Sequence, residues 1–204
     1  MLGRPIGLVR VGDPAARRKV VVVGAMHGDE AAGRAVVDRL VADAAVPAGA
    51  QLLLVRNMNP DGVVRGTRLN ARGVDLNRNS SDRFGRPQPP SSTFPPGPSA
   101  FSEPETRAVR ALLLRERPAA VVWYHQPLGL VDLPEVGSPQ RARAFARRVG
   151  LPVERLGRRP GSMSAWVNTR VRAGSSWVVE LPAGRLAEAS AARHAAALRA
   201  VAAG

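Results

Sequence analysis

The sequence predicts an α/β domain of three layers, with helices on both faces of a mixed, mostly parallel central sheet. Four short apolar runs, rich in β-branched residues, are typical of strands that are buried on both faces. Helical patterns alternate with these runs, and such alternation indicates a mostly parallel sheet. The predicted strands span residues 19–25, 50–57, 118–126 and 175–182. The predicted helices span residues 30–44, 103–116, 137–149 and 185–202.

The chain of 204 residues is expected to form one domain, residues 1–204, because domains commonly contain roughly 100 to 200 residues. Ser102 and Glu105 stand three residues apart before an apolar run, a spacing that predicts a helix-capping box. The Pro- and Ser-rich segment 80–101 has no periodicity and is long for a connection, which predicts a functional or a mobile loop.

The formal charge of +14 could indicate a nucleic-acid binder, since arginine and lysine neutralise phosphates. The arginines are scattered rather than grouped with aromatic residues, so no nucleic-acid partner is expected. With no cysteine, any metal must be held by His, Asp and Glu. No apolar run is long enough for a membrane span, so no membrane partner is expected. As it stands the chain is expected to be cytoplasmic, or exported if a leader has been removed.

His27 and Glu30 follow the first predicted strand and could share one face of a helical turn. On their own they favour a loop pair over a metal site. His125 ends another predicted strand, and the carboxyl ends of parallel strands meet at one edge of a sheet. Two imidazoles and one carboxylate form a typical catalytic zinc set. The third histidine, His194, is predicted to be a solvated or half-buried residue of the last helix.

Two further elements could serve such a metal site. Glu180 interrupts an apolar strand at the same sheet edge, where it could act as a general base or simply pair with an arginine. The segment from Arg56 to Asn79 is dense in Arg and Asn, is short of apolar residues and is predicted to lie outside the core. It could be an anion-binding loop or a solvated basic loop.

In their order along the chain these motifs resemble the zinc metallocarboxypeptidases of the carboxypeptidase A type. Within that family they are most similar to the bacterial murein peptide amidases. The motifs are "HGDE", "NPDG", "RLNARGVDLNRN", "GPSAFSEPET", "HQP" and "VVELP". The resemblance as a whole runs from about Gly7 to Gly184. The resemblance implies a phosphorylase/hydrolase-like fold, one Zn²⁺ per chain, and hydrolysis of an amide bond next to a free carboxylate.

The resemblance also implies a role for each matching residue. His27, Glu30 and His125 match the zinc ligands, and Asp75 matches the carboxylate that holds the first histidine. The other matches concern substrate and catalysis: Asn77 and Arg78 grip the substrate carboxylate, Arg68 polarises the scissile carbonyl, and Glu180 is the general base and acid. The expected substrate is a small peptide with a free carboxylate, of the γ-D-glutamyl-diaminopimelate type.

One departure from the digestive enzymes bears on the substrate. In the digestive carboxypeptidases a mobile tyrosine covers the substrate carboxylate. The only tyrosine of this chain, Tyr124, stands beside a matched zinc ligand and is too constrained for that role. The matching loop, residues 158–170, offers Ser, Trp166 and Asn168 instead. Asp132 is a candidate partner for a distal ammonium, although its position alone favours a surface acid.

Other functions stay open at this point. A deacylase similar to aspartoacylase or succinylglutamate desuccinylase shares the metal set and an Asp-x-Asn-Arg loop. A catalytically inactive binding module would keep the fold without the chemistry. The side-chain preference and the oligomeric state are not determined by the sequence.

Overall fold

In the computed structural model, which describes residues 2–86, 94–171 and 175–204, seven strands form one sheet in the order β1-β3-β2-β4-β7-β5-β6. The strands are β1 (Val9–Gly12), β2 (Arg18–Val23), β3 (Ala50–Val55), β4 (Ala120–His125), β5 (Leu128–Asp132), β6 (Val153–Glu154) and β7 (Ser175–Pro182). The helices are α1 (Arg34–Asp43), α2 (Pro60–Arg65), α3 (Pro104–Glu116), α4 (Gln140–Val149), α5 (Met163–Arg170) and α6 (Glu188–Ala203). A 3₁₀ turn spans Leu76–Arg78.

The four predicted strands form the centre of the sheet. β3, β2, β4 and β7 are parallel neighbours, whereas β1 pairs antiparallel with β3 and β5 pairs antiparallel with β7. The predicted mixed, mostly parallel α/β fold is therefore confirmed. The flanking strands β1, β5 and β6 were not predicted, because they are short and their burial is broken by exposed residues.

Helices cover both faces of the sheet. Alternate residues of β2 enter different clusters: Val20 and Val22 pack into one, with residues of α1, α4 and α6, while Val21 and Val23 pack into the other, with residues of α3 and α5. This alternation follows from the two-residue period of a strand, and it explains why the run had to be apolar throughout. Of the described helices, none combines the length and apolar character that a membrane crossing requires.

Three local predictions were wrong. α3 begins at Pro104 with Glu103 as its N-cap, and Ser102 donates its hydroxyl hydrogen bond to Glu103 (2.7 Å) rather than capping the helix as predicted with Glu105. Residues 163–170 form α5 rather than a loop, since the Ser162 side chain accepts a hydrogen bond from the Ala165 N–H and starts a helical turn. His194 is buried, 3% exposed, and its Nδ1 lies 3.1 Å from the Tyr124 hydroxyl.

The segment from Arg56 to Asn79 also differs from its prediction. It contains α2 and the 3₁₀ turn, and it contributes Met58 and Leu76 to the core, where both are fully buried. Of the Pro- and Ser-rich segment 80–101, residues 87–93 lie outside the described residues. The end of that segment is held at the 75–79 turn, because the Phe101 N–H donates to the carbonyl of Asn79 (2.6 Å).

Candidate metal centre and cleft

Three neighbouring parallel strands bring the candidate residues together. His27 and Glu30 follow the end of β2, His125 is the last residue of β4, and Glu180 lies opposite His125 in the register of β4 with β7. Since parallel strands end at the same edge, residues that are far apart in sequence meet there. The sheet thus positions all four side chains through its topology.

Gly28 lets the metal-binding turn approach the adjacent loop. A Cβ added at Gly28 would lie 1.9 Å from the carbonyl carbon of Gly62, which a real side chain cannot do. The Gly28 N–H donates to the carbonyl of Thr67 (3.0 Å), so this contact is also hydrogen-bonded. Glycine in "HGDE" is therefore required by close backbone packing next to His27. Glycine in "NPDG" is required for another reason, because a Cβ at Gly62 would lie 2.4 Å from the side-chain nitrogen of Asn59.

Three ligand-type atoms converge on one point. His125 Nδ1 lies 2.7 Å from Glu30 Oε2, His27 Nδ1 lies 2.8 Å from the same oxygen, and the two nitrogens are 3.1 Å apart. All three residues are buried. The donor set of two imidazoles and one carboxylate is the set expected for a catalytic zinc ion.

The protonation of His27 tests whether a cation fits. Its Nε2 lies 3.0 Å from Asp75 Oδ1, and the ionised carboxylate can only accept, so in the neutral imidazole Nε2 carries the hydrogen and Nδ1 presents a lone pair. Glu30 Oε2, which also only accepts, lies 2.8 Å from Nδ1, so these two atoms require a positive charge between them, either a proton on Nδ1 or a metal cation. A cation between these atoms removes their repulsion, so the residues present fit a metal ion.

Burial and hydrogen bonding shift the pKa values of these groups in opposite directions. Burial lowers the pKa of His27, but its hydrogen bonds to Asp75 and Glu30 outweigh burial and hold it above the usual value. Burial raises the pKa of Glu30, yet hydrogen bonds from His125 and His27 bring it far below the usual range. The pKa of Asp75 is likewise held low against its burial, chiefly by the His27 hydrogen bond. Both carboxyls are therefore ionised, as metal binding requires.

A cleft of about 270 Å³, open to solvent, is lined by seven of the residues that the sequence singled out. They are Glu30, Arg68, Asn77, Arg78, His125, Asp132 and Glu180. Asp75 lies beneath them, fully buried. Arg68 connects the cleft lining with the buried Asp75, because its Nε donates to Asp75 Oδ2 (2.9 Å) and its Nη1 donates to Glu30 Oε1 (2.5 Å).

The substrate-binding candidates are fixed by local hydrogen bonds. Asn77 Oδ1 accepts from the Met163 N–H (3.0 Å), so this amide also anchors the start of α5. Arg78 is 7% exposed, and its Nη1 donates to the carbonyl of Asn77 (2.9 Å). Burial lowers the pKa of Arg78. Their assignment as carboxylate ligands stays a prediction.

Glu180 has the environment of a proton acceptor. Burial raises the pKa of its carboxyl. Its Oε2 is buried and has no hydrogen-bond partner in the part of the chain that the structure describes. An unsolvated carboxylate that faces a cleft is able to take up a proton from a reactant.

The remaining candidate residues occupy different parts of the structure, and only one of them lines the cleft. Trp166 is 3% exposed and packs edge-on against Phe101, and Asn168 makes two 2.8 Å hydrogen bonds to the backbone of Ser176, so both have structural positions outside the cleft lining. Asp132 lines the cleft and is half-buried, and its role as a partner for a substrate ammonium stays a prediction. Asp29 lines a separate groove.

Sequence reasoning did not single out Arg159, which lines the cleft, or Phe94, which contacts two arginines of its lining. The Phe94 ring packs over the guanidinium groups of Arg68 and Arg78. Arg159 was one of many scattered arginines, and Phe94 lay in a segment without periodicity. Only the three-dimensional arrangement distinguishes them from their neighbours.

The family profile of zinc carboxypeptidases matches residues 1–130, well over half of the chain. The chain belongs to the zinc carboxypeptidase family. The match includes His27, Glu30 and His125 and ends before Glu180. The predicted zinc cofactor is accordingly confirmed, and the protein is a zinc-dependent peptidase.

Related proteins show the same family. Murein peptide amidase A of Escherichia coli K12 is 29% identical over 187 residues, which cover 81% of this chain and 72% of that protein. The protein of the same name from Vibrio campbellii is 32% identical over 164 residues, which cover 74% of this chain and 64% of that protein.

Solved structures resemble the fold over nearly the whole chain. The murein-tripeptide amidase from Escherichia coli O157 superposes with a TM-score of 0.77 at 27% identity, covering 98% of this chain and 88% of that chain. Carboxypeptidase A from Helicoverpa armigera superposes with a TM-score of 0.80 at 21% identity, covering 100% of this chain and 67% of that one, which shows a shared fold.

Proposed function

We propose that this peptidase hydrolyses the amide bond between γ-D-glutamate and diaminopimelate in murein-derived peptides. The observation that carries the proposal is the composition of one cleft. Glu180 and two of the three metal-site residues line it together with Arg68, Arg78 and the acid Asp132. A substrate with carboxylates and a distal ammonium near the scissile bond suits such a mixture of charges. The names of the murein peptide amidases to which the chain is similar support the same substrate class.

His27, Glu30 and His125 would hold the zinc ion, which supplies Lewis acidity to the reaction when bound. Glu180 removes a proton from the attacking water and afterwards delivers it to the leaving nitrogen. A raised pKa favours this double role, because the carboxyl must hold the proton between the two steps.

The arginines act on the charges of the substrate. Arg68 stabilises the negative charge that develops on the carbonyl oxygen as water attacks, an effect that grows toward the transition state. Arg78 and the Asn77 amide bind the carboxylate next to the scissile bond, and so hold the amide in the orientation for attack.

Asp132 is proposed to bind the distal ammonium of diaminopimelate. Asp132 lies in β5 and pairs with Val178 of β7, which is two residues before Glu180. Asp132 and Glu180 are therefore on the same face of the sheet, about 7 Å apart along the strand direction. The Leu156 N–H donates to Asp132 Oδ1 (3.0 Å) and fixes the carboxylate at the cleft wall. Its distance from the reacting carboxyl suits an ammonium group several bonds beyond the scissile nitrogen.

A substrate panel tests this proposal. The zinc-loaded protein is assayed with L-alanyl-γ-D-glutamyl-diaminopimelate, and with N-acetyl-aspartate and N-succinyl-glutamate as deacylase substrates. We expect release of diaminopimelate from the peptide alone. In Asp132→Asn, kcat/KM for this peptide should fall about tenfold or more, because a charged hydrogen bond to the ammonium is lost.

Turnover of the N-acyl amino acids alone would replace the proposal with a deacylase. A zinc-loaded protein that cleaves none of the panel would contradict a hydrolytic role for the cleft on these substrates. If Asp132→Asn matched the parent on the peptide, Asp132 would have no part in substrate recognition.

A further inference from the structure

The aromatic ring of Phe94 covers two arginines of the cleft. Arg68 Cζ lies 4.3 Å from the ring centroid and Arg78 Cζ lies 5.5 Å from it. Both distances are within the range of about 6 Å over which a guanidinium is attracted to the face of a ring. One ring thus contacts both cations of the proposed substrate site.

The position of Phe94 is fixed by the same turn that carries the site. The Asp75 N–H donates to the carbonyl of Pro95 (2.9 Å), and the Asn79 side chain donates to the carbonyl of Pro96 (2.7 Å). The residues directly after Phe94 are therefore hydrogen-bonded to both ends of the Leu76–Arg78 turn. The ring and the two arginines share one local framework.

The ring completes the restraint on Arg68. Asp75 and Glu30 accept hydrogen bonds from its Nε and Nη1, at 2.9 and 2.5 Å, from two sides of the guanidinium group. Those bonds fix the guanidinium within its plane, whereas the Phe94 ring packs on its face. A guanidinium held within its plane and on its face loses little further freedom when a substrate binds.

We propose that Phe94 is a positioning residue, whose ring holds Arg68 and Arg78 in the orientation that meets the carbonyl and the carboxylate of the substrate. The inference rests on the proposed function for the substrate groups involved. It assigns no bond-making step to Phe94, which acts only through the two arginines. An aromatic face, rather than apolar volume alone, is what the geometry requires at this position.

The test compares Phe94→Leu with Phe94→Tyr and Phe94→Trp in the zinc-loaded protein. Leucine keeps apolar volume without a ring, while tyrosine and tryptophan keep an aromatic face. We expect Phe94→Leu to lower kcat/KM for the murein peptide about 5- to 30-fold, with contributions from both kcat through Arg68 and KM through Arg78. The aromatic variants should stay within about threefold of the parent.

Phe101→Leu is the matched control, because the Phe101 ring makes a similar contact with Arg110, at 5.1 Å, outside the cleft lining. It should leave kcat/KM within about twofold of the parent while removing a comparable ring. Thermal unfolding of each variant separates a loss of folded protein from a loss of activity. Equal activity of Phe94→Leu and the parent would overturn the proposal, and so would equal impairment of the leucine and aromatic variants.

A second readout needs no substrate. Phenylglyoxal labelling, measured residue by residue by mass spectrometry, should modify Arg68 and Arg78 several-fold faster in Phe94→Leu than in the parent, with Arg110 unchanged. In Phe101→Leu, Arg110 should be modified faster than in the parent, whereas the labelling of Arg68 and Arg78 should be unchanged. Unchanged labelling of Arg68 and Arg78 would refute the contact itself, whereas a parent that labels as expected yet cleaves no murein peptide would refute only the proposed function.

Discussion

Two buried histidine environments lie on either side of strand β4, and they differ in their partners. His125 ends the strand and faces the metal cluster, whereas its neighbour Tyr124 contacts His194 beneath α6. At the cluster, carboxylates hold the pKa of His27 above its usual value in spite of burial. Under α6, burial lowers the pKa of His194 to about 4, with a smaller contribution from the charge of Arg193.

The difference shows what makes a buried histidine functional. Burial alone disfavours the imidazolium, so a histidine packed against a phenol stays neutral and serves the core. Burial together with ionised carboxylates gives a group of atoms that holds positive charge, and a metal ion supplies that charge. The metal centre therefore depends on Glu30 and Asp75 as much as on its imidazoles.

The largest contrast is expected between the two histidines as zinc ligands. In His125→Ala one of three ligands is lost, so zinc affinity should fall by more than the roughly 100-fold typical of an outer-shell change, and hydrolysis should disappear. The matched variant His194→Ala should keep one zinc per chain. Zinc content and a chelator competition titration measure both effects. A His125→Ala protein with the zinc affinity of the parent would show that His125 is not a zinc ligand.

A smaller effect is expected for the carboxylate under the cluster. Asp75→Asn keeps the size of the side chain but removes the charge that orients and polarises His27 at 3.0 Å. Zinc affinity should fall about 10- to 100-fold, because such outer-shell partners commonly contribute that much. The same titration detects it. If Asp75→Asn bound zinc with the affinity of the parent, the charge of Asp75 would make no contribution to metal binding.

The smallest effect concerns stability at acidic pH. The folded pKa of His194 is about 4 and its unfolded value is near 6.5, so the unfolded chain binds the proton first as pH falls. The stability contributed by neutral His194 is present above pH 6.5 and is lost progressively between pH 6.5 and 4. At pH 5 the loss is about 2 kcal/mol.

Urea unfolding of the parent and of His194→Leu at pH 7 and pH 5 measures this loss. Leucine cannot take up a proton, so the parent should lose about 2 kcal/mol more than the variant between the two pH values. Other titrating groups contribute to both proteins and cancel in the difference. Identical losses would indicate that His194 titrates normally in the folded protein.

The sequence predicted the central sheet and the residues at its edge because both depend on local signals. Continuous apolar runs identify β2, β3, β4 and β7, and parallel strands must end together, which brings His27 near His125. The family resemblance supplied the roles of the loop residues. For these elements local pattern and global fold agree.

The remaining features depend on packing between distant segments. Whether Ser102 caps α3 depends on competition from Glu103, and the burial of His194 depends on Tyr124, 70 residues away. Trp166 was assigned to a substrate loop, but its large apolar surface is buried against Phe101. No periodicity in the sequence reveals such partners.

The most direct test of the account is the conservative variant Glu180→Gln, analysed for zinc content and for turnover of the γ-D-glutamyl-diaminopimelate peptide. Glutamine keeps the shape of the side chain but cannot carry the proton from water to the leaving nitrogen. We expect one zinc per chain, as in the parent, with kcat lowered about 10²- to 10⁴-fold. A Glu180→Gln protein that holds its zinc and turns over the peptide at the parental rate would contradict the assignment of this cleft as the catalytic site.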